Sequence, residues 1–214
     1  MHPLGPKLYS ALISRFRSVE STRQSIERLH GEDRLSRGAA EQMYEGLFLS
    51  VFTAFESLLE ELFVGLLVAG GRKERGAVAP RVTVRSYSVA RELVIGPGRR
   101  YVDWLPYDNT EQRATLFFRG GRPFANLRKD TADPIARGVR DVLDRGVLIR
   151  NAIAHKSQYS LARFERDVLR NTPLSPRERT AAGFLRGALA ATPPETRFQS
   201  YVSGVLRAAY LICN

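Results

Sequence analysis

One cysteine, two methionines and three histidines are all the soft or near-neutral titratable side chains that this 214-residue chain offers. Cys213 has no second thiol, so neither an internal disulfide nor a zinc shared between thiolates is open to it. That usage fits a reducing compartment, and a cytoplasmic location is expected. His2 stands near the start and His30 at an expected helix end. Neither has Cys, His or carboxylate neighbours at ligand spacing, so no metal and no cofactor is expected. The glycines at 96, 98, 120 and 121 lack a following Lys-Ser or Lys-Thr, which excludes a P-loop. No Gly-x-Ser-x-Gly occurs, which excludes the serine elbow of α/β-hydrolases. The stretch from Leu47 to Val68 is long enough to span a bilayer. Glu56, Glu60 and Glu61 lie in its middle, however, where each would be costly in lipid, so a core helix and no membrane partner are expected. Met1-His2-Pro3-Leu4-Gly5-Pro6 has no basic run leading into an apolar one, and no secretory signal is expected.

What the chain has in abundance is arginine and apolar surface. Hydrophobic residues make up 43 %, enough for a core without disulfides or metal, and one domain over 1–214 is expected. The formal net charge is +11 and the pI about 10.4, a balance that favours polyanionic partners, RNA first. The excess is uneven. Between Arg72 and Lys129 stand 13 basic and 5 acidic residues, so most of it falls in one central segment. A coding bias towards arginine would spread it over the whole chain.

The apolar spacing predicts an all-α fold, a bundle of four or more helices. Leu8, Leu12, Phe16, Val19 and Ile26 mark a helix over 7–29, closed by His30-Gly31. A second starts near Leu35 with Ser36 as its cap. It carries Met43, Leu47, Val51, Phe55, Leu58, Leu62 and Leu66, is widened by Phe48, Phe52, Leu59 and Phe63, and is stopped by Gly70-Gly71. Such a helix, apolar nearly all round, is central or shared between two chains. The segment 72–130 breaks the pattern. Arg81-Val82-Thr83-Val84-Arg85 alternates like a short strand, turn residues recur, and aromatics (Tyr87, Tyr101, Trp104, Tyr107, Phe117, Phe118, Phe124) stand among the charges. It reads as an irregular basic insertion with short strands or a short helix, packed by those aromatics. Asp133-Pro134 then opens a helix with Ile135, Val139, Val142, Leu143, Val147, Ile149 and Ile153 on its buried side. Further helices are expected near 160–170, 176–190 and 197–212, with Pro173, Pro176, Pro193 and Pro194 at the joints.

The chemistry gathers in Arg150-Asn151-Ala152-Ile153-Ala154-His155. RNA cleavage by transesterification needs a group that takes the proton from a ribose 2′-OH, and a cation that steadies the charge building around phosphorus. Histidine titrates near neutrality and can do the first. Arginine keeps its charge and offers a fork of donors that fits phosphate oxygens. Neither needs a metal. On a straight helix Arg150 and His155 lie about 140° apart, whereas Asn151, His155 and Tyr159 share a stripe. Asn151 could orient the imidazole. Arg150 could bend round, a helix bulge could align it, or two copies of the motif could meet across a twofold axis. An Arg-x4-His pair alone arises about 0.4 times by chance in a chain so rich in Arg; adding Asn after the Arg lowers that to roughly 0.01. The plainer alternative is a helix-surface Arg and His bonded to solvent or to Glu56 and Glu60.

On these residues the chain resembles the HEPN superfamily, a bundle of about four helices whose signature is Arg, four to six residues, then His, often with Asn after the Arg. Arg150, Asn151 and His155 match residue by residue. A long apolar helix with Phe55, Glu56 and Glu60, then an insertion, then the motif helix, repeat the family's order of elements. The likeness is greatest to the bacterial RiboL-PSP and MAE-type branches. It covers roughly 35–70 and 133–213 and leaves the insertion unassigned. It implies a metal-independent endoribonuclease, often a toxin or defence effector, acting as a homodimer through the long apolar helix and the motif helix. His155 would be the general acid/base, Arg150 the phosphate stabiliser and Asn151 the positioning residue, with Lys156 and Tyr159 as substrate contacts and an antitoxin protein as a candidate partner. A subgroup carries a modifiable Tyr two residues after the His; here that position is Ser157. Two other readings stay open: a non-catalytic module that binds RNA or a nucleotide, and a helical scaffold that dimerises through Leu47–Val68.

Overall fold

A computed structural model describes residues 4–69, 78–170, 172–191 and 194–214. His2, the Gly70-Gly71 stop, positions 72–77 of the insertion and the joint at Pro193 lie outside the described residues. The fold is all-α. Among the described residues there are eight α-helices: α1 (Leu4–Gly31), α2 (Arg37–Ala69), α3 (Tyr87–Ile95), α4 (Tyr107–Phe117), α5 (Pro134–His155), α6 (Gln158–Phe164), α7 (Ala181–Arg186) and α8 (Arg197–Cys213). One antiparallel pair, β1 (Ala188–Ala191) and β2 (Pro194–Thr196), sets Ala188 opposite Thr196. No helix among these residues is long and apolar enough to cross a membrane. The expected caps are in place: the Ser36 hydroxyl accepts from the Ala39 N–H at 3.2 Å, and the Asp133 carboxylate from the Ile135 N–H at 2.9 Å. His30 donates its ring Nδ1–H to the Leu35 carbonyl at 2.9 Å, a structural use of that histidine.

The chain divides into two compact units, Met1–Leu12 with Phe55–Asp141 and Leu206–Asn214, and Ile13–Ala54 with Val142–Val205. In the first unit the described part of the basic insertion holds two short helices, α3 and α4, and two single 3-10 turns at Arg119–Gly121 and Phe124–Leu127, joined by irregular chain. The strand-like run Arg81–Arg85 forms no strand; Pro80 makes one isolated bridge to Phe118. Alternation alone cannot make a strand where the neighbouring chain is the end of a helix and offers no edge to pair with. The aromatics pack as expected. The Phe63 ring lies 5.2 Å from Trp104, 4.8 Å from Phe118 and 5.0 Å from Phe124, centroid to centroid. Tyr87 and Tyr101 instead stay exposed.

Arg140 locks this unit. It sits on the apolar stripe of α5, between Ala136 and Leu143, and is 1 % exposed. Its guanidinium donates to the carboxylates of Asp108 and Glu111 on α4 and to the Leu127 carbonyl, and lies 5.1 Å from the centre of the buried Tyr107 ring. Burial works against the Asp108 carboxylate, but the hydrogen bonds from Lys129 and Arg140 outweigh it and hold its pKa below the usual range. Ile135, expected on the buried side, is exposed because the stripe runs through Ala136, Arg140, Leu143 and Val147. At the C-terminal end of α8, burial pushes the Cys213 thiol up to about 12, so it carries no thiolate.

In the second unit Phe48 meets Phe52, Phe198 and Tyr201, and Tyr44 meets Phe198. Two glycines let α5 approach closely: a methyl at Gly146 would collide with the Phe52 ring, and one at Gly204 with Val142. The helix expected over 176–190 is instead a 3-10 turn (Pro176–Glu178), α7 and β1. Gly187 ends α7, and a side chain there would strike the ion pair between Arg197 and Glu178, 2.7 Å long. The helix expected over 160–170 passes into a π-turn at Glu165–Leu169. Along α2, Phe48, Val51, Phe52, Phe55, Leu58, Leu59, Leu62, Phe63, Leu66 and Leu67 are all buried within the single chain. Their burial needs no second chain, so the breadth of the apolar face gives no reason for one.

Arg140→Met is expected to destabilise the protein by about 3 kcal/mol or more in urea unfolding, because Asp108 and Glu111 lose their shared cation; Arg140→Lys should recover only part. Glu178 is held at about 2 by Arg197 and by Ser175. A carboxyl depressed on folding adds stability that is complete above its unfolded pKa and is lost as pH falls through the folded one. The thermal midpoint is therefore expected to drop between pH 4.5 and 2, with a shallower drop in Glu178→Gln.

Candidate functional site

The candidate site belongs to the second unit and is built on the last turn of α5. This helix buries Leu143, Val147, Ile149, Ala152 and Ile153, which fixes where the polar positions point. Arg150 and Asn151 flank the buried face and are half-buried, while His155 is exposed. The helix stays α-helical through His155, with no bulge; the π-turn falls later, at Glu165–Leu169. Asn151 and His155 therefore stand one turn apart on one face, about 40° round the axis. Arg150 bends towards that face: its Nη1 donates to the Asn151 Oδ1 at 3.3 Å. Among the described residues no hydrogen bond joins Asn151 to His155, so the asparagine holds the arginine and not the imidazole.

The stripe expected through Tyr159 is broken. Lys156 takes φ of +47°, a left-handed conformation, and ends α5. Ser157 then caps α6, its hydroxyl accepting from the Ser160 N–H at 3.2 Å. Tyr159 thus rides on a separate helix, 73 % exposed, with the Arg163 guanidinium 6.0 Å from its ring centre. Lys156 reaches back to Glu45 on α2, 3.0 Å away. Glu45, 111 residues distant in sequence, could not be tied to the motif from spacing. Arg163 could have been, since it stands four residues after Tyr159 on one helix. Glu60, one of the two acids in the plainer alternative, accepts within the first unit from Arg91 at 2.8 Å and from the Trp104 indole at 3.4 Å.

The side chains gathered here are a guanidinium held by a carboxamide, an exposed imidazole, a lysine and a tyrosine. They can bind phosphate, stack a base and move a proton. Among the described residues no three His, Cys, Asp or Glu side chains gather as a metal site. Compared with family models, curated proteins and solved structures, the chain shows no match.

Lys156 sets two small effects against each other. A non-glycine residue in the left-handed region costs about 1–2 kcal/mol. An exposed ion pair such as Lys156–Glu45 returns at most about 1 kcal/mol. Lys156→Gly is therefore expected to leave stability unchanged or raise it by up to about 1 kcal/mol in urea unfolding. A clear loss would show that the pair with Glu45 outweighs the strain.

Proposed function

We propose that the chain is a metal-independent endoribonuclease of the HEPN type, working as a homodimer whose copies bring their α5 ends together. The observation that supports this most is the Arg150–Asn151 bond, which draws the guanidinium towards the face that carries the exposed His155. One copy still separates Arg150 from His155 around a regular helix, so a complete site needs a second copy. The contact would use the exposed end of α5 and α6, since α2 is already covered. In the reaction, His155 of one copy takes the proton from the ribose 2′-OH as O2′ bonds to phosphorus. The P–O5′ bond breaks, and His155 of the second copy gives a proton to O5′. Arg150 steadies the charge on the phosphoryl oxygens, and Lys156 and Tyr159 contact the strand. The products are a 2′,3′-cyclic phosphate and a 5′-OH. A toxin or defence effector, restrained by an antitoxin protein, is the biological role that fits such an activity.

A second reading, RNA binding without cleavage, is favoured by the exposure of Lys156 and Tyr159 beside the half-buried Arg163, which would grip a strand whether or not His155 reacts. Product analysis separates the two. Purified protein with EDTA is expected to leave cyclic phosphate ends on single-stranded RNA, with His155→Ala and Arg150→Ala slower by about 10²–10⁴-fold. Intact RNA after incubation with inhibitor-free wild type would sink the proposal, and so would undiminished cutting by His155→Ala. Binding that persists without products would leave the second reading.

A further inference from the structure

The first unit contains a cleft of about 690 Å3 between α3, the Gly96–Asp103 loop and α4. Its size is that of a small-molecule site. Four of its residues, Asn109, Gln112, Arg113 and Leu116, recur at i, i+3, i+4 and i+7, one face of α4. The neighbouring face of the same helix carries Asp108 and Glu111, which face Arg140, and the third carries buried Tyr107, Thr110 and Ala114. The cleft face thus belongs neither to the core nor to the Arg140 network.

Its chemistry is mixed. Arg113 is half-buried, with its guanidinium 5.5 Å from the centre of the Trp104 ring and its Nη1 on the Asp103 backbone carbonyl at 3.4 Å. Arg99 stands in the facing loop, and its charge reinforces burial in lowering the Arg113 pKa. Against these two cations the cleft holds one carboxylate, Asp103. Among the described residues neither Arg99 nor Arg113 forms an ion pair, whereas Arg91, Arg128 and Lys129 of the same segment all do. Two arginines brought together without a full complement of acids make a place for a bidentate anion. The remaining walls are apolar: Leu93 and Val94 on α3, and Leu116, which is 71 % exposed. The Asn109 Nδ2 donates to the Leu105 carbonyl at 3.4 Å, which keeps its Oδ1 as an acceptor, and Gln112 adds a second carboxamide. An inorganic anion would not use the apolar walls, and a fatty acid would leave the carboxamides unpaired.

We infer that this cleft is a second binding site, separate from the α5 motif, for a nucleoside phosphate unit: phosphate on Arg99 and Arg113, base between Leu93 and Leu116, with its polar edge on Asn109 and Gln112. The unit is either a free mononucleotide or one residue of an RNA strand. The inference does not depend on cleavage at His155.

The full-length His155→Ala protein, in which RNA would stay whole, is titrated with adenosine 5′-monophosphate, with adenosine, and with an oligoadenylate lacking terminal phosphates. Binding is read by calorimetry and by the fluorescence of Trp104, the chain's one tryptophan. Adenosine 5′-monophosphate or the oligonucleotide is expected to bind at least tenfold more tightly than adenosine. Arg99→Ala and Leu116→Glu, both at exposed positions, should each weaken that binding about tenfold with the thermal midpoint unchanged, while Arg150→Ala should not. Preference for the mononucleotide identifies a free ligand, and preference for the oligonucleotide identifies a strand. No binding of either phosphate ligand at millimolar concentration overturns the inference, as does binding that neither cleft variant weakens. A protein that cleaves no RNA yet binds through Arg99 would refute the nuclease and leave the cleft standing.

Discussion

Burying a guanidinium is a demanding constraint, and the first unit is arranged around one. Arg140 carries a charge that cannot be lost by deprotonation, so the chain must surround it with acceptors. Those acceptors come from α4 and from the turn at Phe124–Leu127, and the Tyr107 ring covers the remaining face. Helices of 9 and 11 residues are marginal alone, and α3 and α4 are of that length. The aromatic cluster around Phe63 supplies burial without much direction. Arg140 supplies direction, because a planar fork of donors accepts few placements of two carboxylates and a carbonyl. Once Asp108 and Glu111 are fixed on it, the rotation of α4 about its axis is set. Arg113 and Leu116 on the next face must then line the cleft.

The helices of the bundle could be read from apolar spacing because each buries a regular stripe over four or more turns. Leu12, Phe16, Val19 and Ile26 in α1, and Phe198, Val205, Ala209 and Ile212 in α8, are buried, while Leu8 and Val202 on the same stripes are half-buried. The insertion could not be read that way. Its helices are short, their stripes have two or three members, and Arg140, the residue that organises them, lies 23 residues beyond α4. Arg140 was itself visible in one respect: it falls between Ala136, Leu143 and Val147 at helical spacing, where a charge needs a buried partner. The error over 176–190 has another cause. The spacing there is helical enough, but Gly187 must stay bare for Arg197 and Glu178 to meet, and that contact joins residues 19 apart.

At the candidate site the order of residues was legible, but not their directions. Helical spacing placed Asn151 beside His155, and the structure agrees. Spacing also carried the stripe on to Tyr159, which fails because Lys156 turns into the left-handed region. Nothing in the residue type announces that turn, since glycine or asparagine is the usual choice there. A lysine kept in a strained position, where glycine would sit without strain, is a common mark of a side chain needed for something other than folding. In the proposed reaction its place directly after His155 would set that charge beside the phosphate.

Charge shows the same division between structural and available side chains. The excess of the central segment is not one uniform basic surface. Arg91, Arg128 and Lys129 are tied to Glu60, Glu111 and Asp108, and are committed to holding the insertion. Arg99 and Arg113 have no such acids, although Glu92, Asp103, Asp108 and Glu111 all lie nearby in sequence. Asp108 and Glu111 went to cations that organise the fold, and Arg99 and Arg113 line one partly apolar cleft in which Asp103 is the one carboxylate. Non-specific attraction to RNA would be served equally well by scattered arginines on the outside. Two of them drawn together, one half-buried against Trp104, raise their mutual repulsion and cost stability. A ligand anion offsets that cost, so the pairing favours a specific phosphate site over general basicity.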